Sequence, residues 1–251
     1  VTTVDGRYID FCKVNIVLAV EEITVENDEI SLLEEETAEI IATVLPEKAY
    51  NKRVTFISDD VSIATVDKNG VVTAVSKGET VIRVISEDNE EVTAEVKVTV
   101  IRVVEEIELS FDKEYLWKGE TGNISVTLIP AEPTDKSVTF ISADEAIATV
   151  DENGVVTALK AGEVAITVAT TDGRASAEVI VEVRQQVEGI ELTETEKTVS
   201  VDDVFDLTVN ILPADAYNKD VVWTSSDEEV LTVADGKVTA LKTGTATIIA
   251  T

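Results

Sequence analysis

One pattern in this chain is written three times, and that constrains its fold more than any other feature. Ile63-Ala-Thr-Val66 returns as Ile147-Ala-Thr-Val150 and as Val230-Leu-Thr-Val233. Gly70-Val-Val-Thr-Ala74 returns as Gly154-Val-Val-Thr-Ala158 and Gly236-Lys-Val-Thr-Ala240. Val54-Thr-Phe-Ile-Ser58 matches Val138-Thr-Phe-Ile-Ser142, and aligns with Val222-Trp-Thr-Ser-Ser226. Pro46, Pro130 and Pro213 lie 84 and 83 residues apart. A period this long is a whole small domain rather than one turn of a solenoid.

Each unit reads as all-β. Val71–Val75 and Val81–Ile85 are short strands, and Ala94–Val100 alternates apolar with polar residues, as a half-buried strand does. Asn69-Gly70, Asn153-Gly154 and Asp235-Gly236 occupy one repeat position and supply the positive φ that a tight hairpin needs. Gly78, Gly162 and Gly244 mark a second turn. About seven strands per unit predict a two-sheet sandwich. Aromatics are only 4% of the chain, so the cores are expected to be aliphatic, packed around Phe56, Phe140 and Trp223.

The run Val222-Trp-Thr-Ser-Ser-Asp227, the segment 149–158 and Gly244-Thr-Ala-Thr-Ile248 resemble bacterial immunoglobulin-like domains of group 2. Such modules occur in tandem in intimin- and invasin-type adhesins, other surface proteins and some phage virion proteins. The resemblance covers essentially the whole chain. It implies Ig-like sandwiches, an extracellular or virion setting and no catalytic residues.

The expected organisation is three domains, at 20–103, 104–186 and 187–251, preceded by a segment at 1–19. That segment matches the end of a repeat. Asp5-Gly6-Arg7 aligns with Asp172-Gly173-Arg174, and Cys12, Val14 and Ile16 align with Val96, Val98 and Val100. Residues 1–19 therefore read as a last strand, with Cys12, Val14 and Ile16 as its inward, strand-contacting positions and the Cys12 thiol buried. Thr2 and Thr251 fall at equivalent positions, and Thr251 corresponds to Ala169, so the third domain is expected to lack its last strand. Two arrangements satisfy this. Either the sequence is cut from a longer array, or copies join head to tail by strand complementation. No Gly- or Pro-rich spacer separates the repeats, which predicts a stiff end-to-end rod of on the order of 100–130 Å.

The formal charge is −30, from 50 acidic and 20 basic residues, which excludes a nucleic-acid partner. No apolar run is long enough for a membrane-spanning helix. There is no His and a single Cys, so His-based triads, His metal sites and intrachain disulfides are excluded. The acidic clusters, including Glu21-Glu22 and Glu105-Glu106, could hold calcium but read as solvated surface, and no cofactor is expected. Asp60, Asp144 and Asp227 recur in register and are assigned to turns. The Asn123-Ile124-Ser125 sequon reads as unused. Tyr50 and Tyr217 share a repeat position and read as packing over a loop base rather than contacting a ligand. Trp117 reads as core filler rather than an interface anchor. The function that follows is a structural fibre or stalk segment whose partners are neighbouring repeats or copies. The alternatives are an adhesin for host protein or glycan, and a phage tail or capsid decoration protein.

Overall fold

The computed structural model describes Val4, Gly6 and residues 10–251; the expectations for Thr2, Asp5 and Arg7 lie outside the described residues. It is all-β. The first repeat contains β1 (Glu22–Val25), β2 (Glu29–Leu33), β3 (Thr37–Glu39), β4 (Ala42–Leu45), β5 (Val54–Ser58), β6 (Ala64–Val66), β7 (Val71–Ala74), β8 (Gly78–Ser86) and β9 (Thr93–Ile101). The second contains β10 (Glu106–Phe111), β11 (Leu116–Trp117), β12 (Thr121–Ile129), β13 (Val138–Ser142), β14 (Ala148–Val150), β15 (Val155–Ala158), β16 (Gly162–Thr170) and β17 (Ser176–Arg184). The third contains β18 (Gly189–Leu192), β19 (Val204–Asp206), β20 (Val209–Leu212), β21 (Trp223–Ser225), β22 (Leu231–Ala234), β23 (Lys237–Ala240) and β24 (Ile248–Ala250).

Two compact units emerge. One holds residues 1–104 with the loop 130–136, and the other holds 105–129 with 137–251.

The second repeat shows the architecture in full. Sheet β10-β12-β15-β14 faces sheet β11-β17-β16-β13. Inward residues alternate along β16 and β17, so Val164, Ile166, Val168, Val181 and Val183 are buried in one aliphatic core. β-branched side chains suit this pleated, two-sided packing. The last strand, β17, joins its sheet along both edges, antiparallel to β16 and parallel to β11. The first repeat repeats this, with β9 between β8 and β2.

The Gly turns differ by one residue. In the first two repeats Asp67 and Asp151 accept from the amides two and four residues on, and only the glycines, Gly70 and Gly154, have positive φ. These three-residue loops have the form of a type I turn with a bulge. In the third repeat Ala234 pairs directly with Lys237, and both Asp235 and Gly236 have positive φ. A Cβ at Gly70 would lie 2.9 Å from the Phe56 ring and the Ile40 carbonyl, so the ring closes over the turn. Phe56, Phe140 and Trp223 are accordingly half-buried at the sandwich edge, not at its centre.

Two expectations change. Trp223 pairs with Ala250 as Phe56 pairs with Val84, so the third-repeat match to Val54–Ser58 is shifted by one, to 221–225. The shorter turn before Gly236 and the lone Trp hide this in the sequence. Residues 10–19 form no strand, and Phe11, Cys12, Val14 and Ile16 are exposed. The burial expected for Cys12 needs a sheet that, among the described residues, the segment does not enter.

Candidate functional site

The residues with chemistry to offer gather where the chain leaves one repeat and enters the next. One backbone hydrogen bond recurs there. The amide of Thr134 donates to the Arg102 carbonyl (2.8 Å), that of Tyr217 to Gln185 (2.8 Å) and that of Tyr50 to Leu18 (2.9 Å). Arg102 and Gln185 directly follow β9 and β17. The donors lie in the loop after the repeated proline. The start of each repeat is pinned similarly, by Glu21 to Leu45, Glu105 to Ile129 and Glu188 to Leu212.

Around this common bond the side chains differ. In the first compact unit the cluster is ionic. Arg102 clamps Glu34 with Nε at 2.8 Å and Nη2 at 2.7 Å, and Glu34 also accepts from the Lys77 amide at 2.9 Å. The Arg102 hydrogen bonds hold the Glu34 carboxyl below its ordinary value, against the opposing effect of burial. A two-toothed guanidinium–carboxylate pair fixes orientation as well as charge. Lys77 Nζ lies 3.9 Å from Glu132 of the loop 130–136, and Lys136 pairs with the same carboxylate at 2.7 Å.

In the second unit the cluster is aromatic. The Arg184 guanidinium lies between two rings, 3.8 Å from the Tyr115 centroid and 3.9 Å from that of Tyr217. Trp117 meets Tyr115 edge-on at 5.4 Å and Tyr217 at 6.5 Å. Glu182 holds Arg184 from the side at 2.7 and 2.9 Å, and this hydrogen bonding lowers the Glu182 pKa. Stacking orients the planar guanidinium while its edge stays bonded to carboxylate. Trp117 is therefore an anchor between the second and third repeats, not core filler. Tyr217 contacts the preceding repeat's last strand. Tyr50, its counterpart, is 76% exposed.

The assigned turns are as expected. Asp60, Asp144 and Asp227 each accept from the amide two residues on, at 2.9, 2.9 and 3.0 Å. Asn123 of the sequon donates to Asp112 at 2.9 Å. Glu21, Glu22, Glu105 and Glu106 are exposed, and no three acidic, Cys or His residues converge on a metal position among the described residues. Among the described residues no helix is long and apolar enough to cross a membrane.

Serial two-sheet sandwiches, joined without spacers and pinned by a repeating backbone bond, define a tandem immunoglobulin-like protein. The solved structure of Sidekick-1 immunoglobulin domains 1–5 shares this fold, with TM-score 0.50 and 10% identity over 92% of this chain and 58% of that one. The chain belongs to the bacterial Ig-like domain (group 2) family, whose model matches residues 19–96, 103–181 and 186–251. Domains of this family are non-catalytic. An uncharacterised protein of Clostridium acetobutylicum is 33% identical over 152 residues, 61% of this chain and 16% of that protein. An Ig-like virion protein of Serratia phage KSP90 is 33% identical over 136 residues, 52% of this chain and 53% of that protein. The chain thus spans about half or less of the length of these relatives.

Proposed function

We propose that this chain is a structural segment of an extracellular fibre or stalk, three Ig-like domains (20–103, 104–186 and 187–251) in series whose work is reach. The observation that carries this reading is a recurring backbone bond from the loop after each repeated proline to the chain just before that repeat, through Tyr50–Leu18, Thr134–Arg102 and Tyr217–Gln185. A stiff series gives length with little material. The charge of −30 keeps such a surface solvated and discourages bundling. Small-angle scattering of the 251-residue chain tests this. The reading expects a maximum dimension on the order of 100–130 Å for monomer; domains folded back on one another would overturn it. A second reading, a virion surface component, is favoured by the likeness to the phage protein, and co-purification with virions would promote it. The exposed Tyr50 favours an adhesive tip, which binding to host matrix or a glycan array would promote.

A further inference from the structure

We propose that β13 (Val138–Ser142), an edge strand of the second repeat, pairs antiparallel with the same strand of a second copy of this chain, about a two-fold axis at Phe140. This goes beyond the fibre reading and stands without it.

The sheet β11-β17-β16-β13 ends at β13, in a repeat whose own last strand, β17, is in place. The Ala143 amide donates to the Ala165 carbonyl, and that of Thr171 to Ser137. The alternation therefore turns the backbone groups of Thr139 and Ile141 toward β16. It leaves the N–H and C=O of Val138, Phe140 and Ser142 facing away from it. Among the described residues no strand takes these groups up. On the outer face of the sheet Ile141 is 60% exposed, beside Ala165, Thr167 and Ala169 of β16, and Ile180 of β17 is 57% exposed.

The first repeat supplies a control within the chain. Its β5 has the identical sequence, Val-Thr-Phe-Ile-Ser, and also lies at the edge of its sheet. There the edge is guarded by charge. Arg53 and Asp59 flank the strand, and Arg53 pairs with Glu87 at 2.9 Å. Arg83, opposite Ile57, pairs with Asp59 at 2.9 Å, and Lys97 with Glu79 at 3.3 Å. In the second repeat the places of Arg53, Asp59, Arg83 and Lys97 are taken by Ser137, Ala143, Thr167 and Ile180. Charged side chains keep an edge strand from pairing with other chains, and one of two identical strands lacks them. The carboxylates of this face, Glu163, Glu178 and Glu182, stand on β16 and β17, off the edge strand.

The occupant that fits is a second copy. The free groups are placed symmetrically about Phe140, so a two-fold axis there sets Phe140 opposite Phe140 and Val138 opposite Ser142, each pair exchanging N–H···O=C bonds. On the outer face Thr139 then meets Ile141 of the second copy, and each exposed isoleucine gains a cross-strand neighbour. The run from Ser137 to Ala143 carries no charge, so the edge strands meet without like charges opposed although each chain carries a formal charge of −30. An isologous contact closes at two copies and does not propagate.

Thr139 and Ile141 fall between the hydrogen-bonded pairs of this contact, where facing Cα atoms are about 4.5 Å apart and a disulfide fits. The test mixes two variants of the 251-residue chain, both with the single cysteine removed by Cys12→Ser, one carrying Thr139→Cys and the other Ile141→Cys. After oxidation at high micromolar concentration, the mixture should give at least tenfold more disulfide-linked dimer on a non-reducing gel than either variant alone. The same design in β5, Thr55→Cys mixed with Ile57→Cys, should give at least tenfold less. Without cross-linking, the parent chain should sediment as a concentration-dependent dimer. Ile141→Lys, at an exposed outward position, should sediment as monomer with an unchanged melting temperature. Monomer at every concentration, equal cross-linking from β5 and β13, equal yields from each variant alone, or a dimer indifferent to Ile141→Lys would overturn the proposal. Scattering from a monomer of the expected length removes the pairing and leaves the fibre reading standing.

Discussion

The second and third repeats share sequence motifs, yet they differ in how much sheet they build. β16 runs for nine residues, and its counterpart β24 for three. β13 runs for five, and β21 for three. Ile166 is fully buried; Ile248, at the same repeat position, is half-buried. The second repeat's sheet is organised around one strand. β17 bonds to β16 on one side and to β11 on the other, and it contributes Val181 and Val183 to the core. Among the described residues, segment 195–201 enters no sheet and β24 pairs with β21 alone.

The largest effect that sharpens this comparison comes from matched core truncations. Ile166→Ala should destabilise the second repeat by about 2–5 kcal/mol, since it leaves a closed cavity. Ile248→Ala should cost the third repeat less than about 1 kcal/mol, because the side chain is already partly in water. The two tryptophans fall one in each repeat. Trp117 in a Trp223→Phe background, and Trp223 in a Trp117→Phe background, allow denaturant unfolding to be followed repeat by repeat. Equal losses at the two sites would break the comparison.

A smaller effect concerns how the two repeats are tied. Tyr217→Ala removes one face of the Arg184 stack, 3.9 Å from the guanidinium. It should cost about 1 kcal/mol, seen as earlier and less coupled unfolding of the third repeat. Tyr50→Ala, at the same repeat position but 76% exposed, should change nothing measurable by the same assay.

The smallest effect is acid sensitivity, which the Glu34–Arg102 clamp gives to the first repeat. Glu34 is held below its ordinary value of 4.5 by Arg102, so the folded state favours the carboxylate. That stabilisation is complete above the unfolded value. It is lost as pH falls through the lowered folded value. Glu34→Gln should therefore flatten the pH dependence of the first repeat's melting temperature below about pH 5, with little change in the other two. An unchanged slope would remove the clamp from the account.

The repeat, the strands and the turn aspartates were legible in the sequence because each is local. Val71–Ala74, Thr93–Ile101 and Asp60 with its partner amide need only near neighbours. The clusters at the strand ends were not legible. Tyr115, Trp117, Arg184 and Tyr217 are scattered over a hundred residues and meet only through the β11–β17 register and the Tyr217–Gln185 bond. Trp117 looked like core for that reason; the signal that could have found it is its place beside Leu116, the inward residue of the same short strand. The shift at Trp223 was hidden because the third repeat replaces the Thr-Phe-Ile of the first two.

Amide hydrogen exchange on the dilute, monomeric chain tests the role of the last strand most directly. The account predicts slow exchange at Val164–Val168 and Val179–Val183. The amides of Ala246, Ile248 and Ala250 and of segment 195–201 should exchange orders of magnitude faster. Protection of Ile248 equal to that of Ile166 in the monomer would contradict it.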